Sequence, residues 1–428
     1  MFSRMLESIR STPPMDARKI RFYALVFGGL PWMLYCIETA IQLMTLSFDG
    51  KQPPMGSDFL SFYAASLIAL NGNPADVYVM KLHAAAHKVV FPNETDYFAF
   101  FYPPLFLLIV LPLAKMSYWV AMVVWNTTTL VASLAVLRRI GPPQLGLLPI
   151  LAFPAVFMTV LHGQNAFLTT ALFGAALLCM ERRPILAGVC FGLLAFKPQF
   201  GVLVPIFLLL SWRWDTIVAA GVTVVAFGLA TIAVLGFDVW PGWMAISAVA
   251  KKALNYNHIG DYKMQSIFAM LRLAGASLEV AYAAQGLAAA IVIATLVVVT
   301  RKRPGSMAAG VVMVTGALLT TPFMLRYDLM LLAIPLCWLV GEIARTGLRK
   351  GELEFGILAF ALPLFPIEIA QYGHVLLAPF VIAGLFFVVA RRALSPEVVP
   401  AVSADSVGSS GPGWSGPGFP AAAHRQNS

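Results

Sequence analysis

The sequence predicts an all-α polytopic membrane protein, and three observations carry the prediction. Of 428 residues, 59% are hydrophobic and 11% charged, against about 45–50% and about 25% in soluble domains. The apolar residues gather into runs, most of them near the roughly 20 residues that a helix needs to cross ~30 Å of hydrocarbon. Basic clusters punctuate the run ends, at Arg138-Arg139, Arg182-Arg183, Arg301-Lys302-Arg303, Arg349-Lys350 and Arg391-Arg392. Basic residues held on the cytoplasmic side give this pattern.

Residues 1–21 are polar and basic, with Arg18, Lys19 and Arg21 just ahead of the first run. They read as a cytoplasmic N-terminus, and the first run, 22–46, as an uncleaved signal anchor. The chain then exits into a large extracytoplasmic loop, 48–101. In it Phe59, Leu60, Tyr63, Leu67 and Leu70 recur at helical spacing, with Ser57 or Asp58 as N-cap and Gly72 past the end. A second amphipathic piece runs from Val77 to Val90, with Lys81, His83, His87 and Lys88 on its polar side. Both are expected to lie flat in the membrane interface.

Further runs stand at 117–137, 145–161, 165–181, 214–236, 279–300, 306–323, 327–345, 354–371 and 375–391. A short run at 103–114 leaves the topology of 102–139 open. The stretch 184–211 carries Lys197-Pro198 in its middle, so it is either two short passes or one broken helix. The expected total is roughly eleven to thirteen membrane helices. The basic clusters place a second loop, 237–278, outside. The tail, 392–428, is rich in Gly, Ser, Pro and Ala and cannot bury enough apolar area to fold.

The formal charge of +9 is explained by topology, so nucleic acid is not an expected partner. Cys36, Cys179, Cys190 and Cys337 are scattered through apolar runs without CxxC spacing, as small core residues are. No Walker A loop, GxGxxG or HExxH pattern is present. Neither a metal nor a cofactor is expected.

Ionisable groups at a helix centre cost about 2.5–3.5 kcal/mol each on insertion, so those that topology leaves unexplained are informative. Asp58 is either a helix cap or a general base whose partial desolvation raises its pKa toward working pH. In "FGLLAFKPQFGVLVP", Lys197 stands in an apolar stretch at a proline break, where irregular backbone is tolerated only if buried or lining a cavity. It suits an anion such as phosphate; the alternative is a lysine snorkelling from the end of a span. His162, Gln164 and Asn165 lie in "LHGQNAFL", between two runs. Arg326 and Asp328 lie in "TTPFMLRYDLMLL", as interfacial anchors or with Arg326 facing Lys197 in a phosphate clamp. Gln199, Gln265 and Tyr102 complete the candidates.

In order along the chain, "SDFLSFYAASLIALNGNPADVY", "FFYPPLFLLIVLPLA", "HGQNAFLTTALF", "LAFKPQFGVLVPIFLLL", "QSIFAMLRL" and "TPFMLRYDLMLL" resemble the signature blocks of glycosyltransferase family 87. That is the polyprenol-phosphate-mannose-dependent mannosyltransferase-like family, and the resemblance spans about residues 20–390. It implies a GT-C fold over 22–391, in a bacterial inner membrane, with the active site on the extracytoplasmic face. It also implies a polyprenyl-phosphate sugar donor, mannose by default, a glycan or glycolipid acceptor and an inverting hexosyl transfer. Asp58 matches the family's loop carboxylate, the general base, and Lys197 the lysine of its "KP" block. The chain departs from the family pattern at Arg326-Tyr327-Asp328, where members often carry histidine. The rival readings are a transporter or flippase of lipid-linked sugar, with charges near midplane between repeats, and a polysaccharide polymerase or ligase.

Overall fold

Hydrocarbon offers the backbone no water to bond, so these apolar runs form helices, and proline decides where many of them stop. The computed structural model describes residues 56–395, apart from 94, 95, 258, 259 and 366, together with 29, 33, 34, 37 and 41. The N-terminus, most of the first run at 22–46 with Cys36, and the tail beyond 395 lie outside the described residues. Among those described there is no strand, only an isolated bridge between Met264 and Leu325.

The helices that matter for the site are α1 (Ser57–Asn71), α2 (Met80–Val90), α3 (Pro104–Lys115), α4 (Tyr118–Ile140), α5 (Pro154–His162), α6 (Ala166–Cys179), α7 (Pro184–Phe196) and α8 (Pro198–Leu210). After them come α9 (Trp214–Leu235), α10 (Val239–Asn255), α11 (Leu278–Lys302), α12 (Met307–Thr320), α13 (Arg326–Thr346) and α14 (Ala378–Leu394). Among the described residues α4, α9, α11 and α13 are long and apolar enough to cross a membrane, while α3, α6, α7, α8 and α12 are apolar but shorter. The protein is an all-α polytopic membrane protein, and among the described residues fewer helices are full length than the run lengths suggest. Pro154 starts α5 inside the 145–161 run, Pro198 divides α7 from α8, and Pro363 ends the helix Glu352–Ala361 inside the 354–371 run.

At the centre stands α12, buried from Ala308 through Leu319, as a helix apolar on every side must be. Small residues let the helices around it approach closely. A Cβ on Gly310 would lie 2.3 Å from Leu177 of α6, and one on Gly174 2.2 Å from Val136 of α4. Gly188 and Gly192, one turn apart, turn a bare stripe of α7 toward α9. A Cβ on Gly188 would lie 2.5 Å from the Ala219 side chain, and one on Gly192 2.7 Å from the Ala220 carbonyl.

The first loop differs from its predicted form. Helix α1 buries Phe59 through Ser66 on all sides, instead of lying flat on a surface. In α2 the histidines face inward: His83 and His87 are 0% and 2% exposed, while Lys81, Leu82, Lys88 and Val89 are exposed. The His83 and His87 rings meet at 4.8 Å, beside Tyr97. Aromatic packing has taken two residues that read as polar.

The helix ends have a consistent polarity. Helix α4 starts at Tyr118, whose hydroxyl donates to the Gly56 carbonyl (3.1 Å), and ends at Arg138-Arg139. Its 23 residues, at about 1.5 Å each, separate the two ends by about 35 Å. Helix α6 likewise runs from Asn165 toward Arg182-Arg183, and α13 from Arg326 to Arg345. Helix α7 returns from Arg183 to Lys197. Asp58, Asn165, Lys197 and Asp328 therefore sit at helix ends opposite to those that carry Arg138-Arg139, Arg182-Arg183 and Arg345.

Candidate active site

Gly56 turns the chain into α1 with φ 77°, a left-handed conformation that suits glycine. Its N–H donates to the Leu161 carbonyl (3.0 Å), which fastens the start of α1 to the end of α5. Gly56, not Ser57 or Asp58, is the N-cap, and no side chain caps the helix. Asp58 lies in the first turn, where the helix dipole favours a negative charge. Its Oδ2 is 3.7 Å from His162 Nδ1, and Ser57 Oγ is 3.2 Å from the same nitrogen.

The segment His162–Asn165 joins the rest of the site. Gly163 ends α5 with φ 64°, and a Cβ there would lie 2.5 Å from the Phe59 Cβ. Trp125 Nε1 of α4 donates to the Gly163 carbonyl (3.0 Å) and holds the turn from its other side. Gln164 Oε1 accepts from the Tyr102 hydroxyl (3.2 Å) and from the Asn165 N–H (3.1 Å). Asn165 Oδ1 accepts from Lys197 Nζ (2.9 Å). One short turn thus touches both the loop carboxylate and the buried ammonium.

Lys197 occupies the break between α7 and α8, where Pro198 starts a new turn. Its ammonium donates to Asp328 Oδ1 (2.5 Å) and lies over the rings of Phe200 (5.3 Å) and Tyr327 (5.5 Å). The other Asp328 oxygen accepts from the Leu325 N–H (3.0 Å), closing the first turn of α13. The ion-paired side chains are 3% and 4% exposed. Lys197 is therefore neither a snorkelling lysine nor an open cation. Asp328 is not an interfacial anchor either: a buried ammonium needs a buried partner.

Asp58 and His162 are the open members, with 28% and 33% of their side-chain surface accessible. Asp58 is nonetheless ringed by protein on its other sides. That burial raises its pKa above the usual carboxylate value, and His162 and a hydrogen bond from Gln164 partly oppose the rise. Asp328 raises it further and Lys197 lowers it, so the Asp58 carboxyl feels both members of the ion pair. Tyr102 is pushed up by burial first, then by Asp328 and Asp58. It stays a neutral hydroxyl, able to donate to Gln164.

The structure brings together Asp58, Tyr102, His162, Gln164, Asn165, Lys197 and Asp328. It separates Arg326 and Gln265 from them. The Arg326 guanidinium is not among the groups around Lys197. It donates to the carbonyls of Pro363 (2.8 Å) and Phe365 and shares a small hollow with Tyr262 and Gln265. Of the two readings of Arg326, the one in which it faces Lys197 is not the arrangement seen, since its guanidinium turns to these carbonyls. Gln199 is half-buried beside the break. Sequence reasoning missed Ser57, Trp125 and Tyr327, aromatic or hydroxyl residues in apolar company that only contacts across the fold distinguish. Among the described residues no group of three or more His, Cys, Asp or Glu side chains could hold a metal ion.

The family model described as glycosyltransferase family 87 matches residues 100–322. No curated protein and no solved structure matches the chain.

Proposed function

The chain belongs to glycosyltransferase family 87 and is an integral membrane glycosyltransferase; from that premise we propose that it takes a hexose, mannose by default, from a polyprenyl-phosphate donor. The acceptor is a hydroxyl of a glycan or glycolipid on the extracytoplasmic face. A partly open carboxylate joined through one turn to a buried ammonium is the observation that best supports this reading. The opposite placement of the arginines supports the face, because the positive-inside rule puts that end in the cytoplasm.

Asp58 acts as the general base. The acceptor oxygen attacks the anomeric carbon and gives its proton to Asp58, while the bond from that carbon to the phosphate oxygen breaks. The electron pair leaves with the phosphate, and a single displacement inverts the anomeric configuration. His162, 3.7 Å from the carboxylate, orients it and complements its charge. Lys197 stabilises the negative charge that grows on the departing lipid phosphate. The proposed chemistry calls on no metal or cofactor beyond the lipid-linked donor.

Asp58→Asn removes the base while nearly preserving shape. Transfer of labelled sugar from polyprenyl phosphate in purified membranes should fall about 10²–10⁴-fold, with yield and melting temperature unchanged. Near-normal turnover by the folded variant would remove Asp58 from the chemistry.

A further inference from the structure

A buried carboxylate holds the ammonium that the proposed mechanism offers to the donor's phosphate. The Lys197 ammonium donates to Asp328 and Asn165 and lies over the rings of Phe200 and Tyr327. Asp328 already sets one negative charge against that buried ammonium, and a phosphodiester would add a second. Buried sites do not hold such an excess. Asp328 has a second anchor, because its other oxygen is bonded by the Leu325 N–H (3.0 Å). It can release Lys197 and keep its place in α13.

Resting on the polyprenyl-phosphate reading of the same site, we propose that Asp328 is a positioning residue that holds Lys197 in the empty enzyme and exchanges with the donor's phosphate. The phosphate oxygen takes the ammonium as the carboxylate lets go. After transfer the carboxylate returns to Lys197 and helps to expel the lipid phosphate left behind. No bond is made or broken in the exchange; one anion replaces another. The order of affinities follows from it, since any phosphate first has to displace a carboxylate.

The test is direct binding of an unreactive short-chain prenyl phosphate to the full-length protein in detergent, with inorganic phosphate in a parallel arm. Asp328→Asn keeps an acceptor for the Leu325 N–H and should bind about tenfold tighter, the lower end of what a hydrogen bond to a charged group contributes. A gain with both ligands assigns recognition to the phosphate alone, and a gain only with the prenyl ligand adds the chain to it; either supports the exchange. Lys197→Met should bind more weakly, and adding Asp328→Asn to it should restore nothing. In turnover, Asp328→Asn should lower KM for the donor and kcat together, a split that a merely structural role would not produce.

Folded Asp328→Asn that binds no tighter overturns the exchange, as does a gain that persists without Lys197. Asp328→Ser, whose hydroxyl can still cap, is the second variant; failure of both to fold makes the pair a structural staple and also overturns it. Wild-type protein that binds no prenyl phosphate removes the donor itself, and the exchange with it. Wild-type binding without a gain in Asp328→Asn leaves the donor reading standing.

Discussion

At the scale of single residues, the site depends on how Asp58 and Lys197 are surrounded. Burial raises the pKa of Asp58, and the general base proposed here works only when ionised. Activity should therefore rise with pH through a midpoint above that of an ordinary aspartate, about 3.9. It should be lost as pH falls through that midpoint, and kcat/KM measured against pH checks the sign. Gly163 is a second point of dependence, because its φ of 64° and the nearby Phe59 side chain exclude a Cβ. Gly163→Ala should shift the turn that carries Gln164 and Asn165. Transfer should fall at least about tenfold, since small misplacements of reacting groups are costly, and the melting temperature should also fall. Asp58 and Lys197 stand out in the sequence because charge is scarce in this chain. The partnership of Lys197 with Asp328 is not legible there, since 131 positions separate the two.

At the scale of elements, the break between α7 and α8 and the packing of α7 on α9 decide where Lys197 points. The break was legible in Lys197-Pro198, where the proline ring cannot continue the preceding helix. The packing rests on Gly188 and Gly192, which the run lengths did not single out. Gly188→Leu would drive a side chain into Ala219 and the Thr216 carbonyl. It should destabilise the protein by about 1–3 kcal/mol, the usual cost of overpacking, and thermal unfolding in detergent reads the loss. Helix α2 shows the limit of pattern reading. His83 and His87 look polar in sequence, yet burial depresses their pKa values to about 3 and about 4, so both are neutral and packed at neutral pH.

At the scale of the whole molecule, helices α4, α6, α7 and α13 give the protein a site end and an end that carries Arg138-Arg139, Arg182-Arg183 and Arg345. If the arginines face the cytoplasm, a thiol-reactive probe that cannot cross membranes should label a cysteine placed at Asn71 in intact cells. A cysteine at Gln144, exposed near the end of α4 that carries Arg138 and Arg139, should react only after permeabilisation. The reverse labelling would invert the orientation proposed for the site.

The sequence by itself determined that this is a helical membrane protein. Apolar composition and basic run ends are properties of the chain that no tertiary contact can reverse. It also pointed to Asp58 and Lys197, because an ion in so apolar a chain needs a reason. Only the tertiary structure decided that the segment around Gln164 and Asn165 joins them and that Asp328 holds the ammonium. It also turned Arg326 to the carbonyls of Pro363 and Phe365. Those outcomes depend on which helix ends meet in space, and close packing between distant segments sets that, not any local pattern.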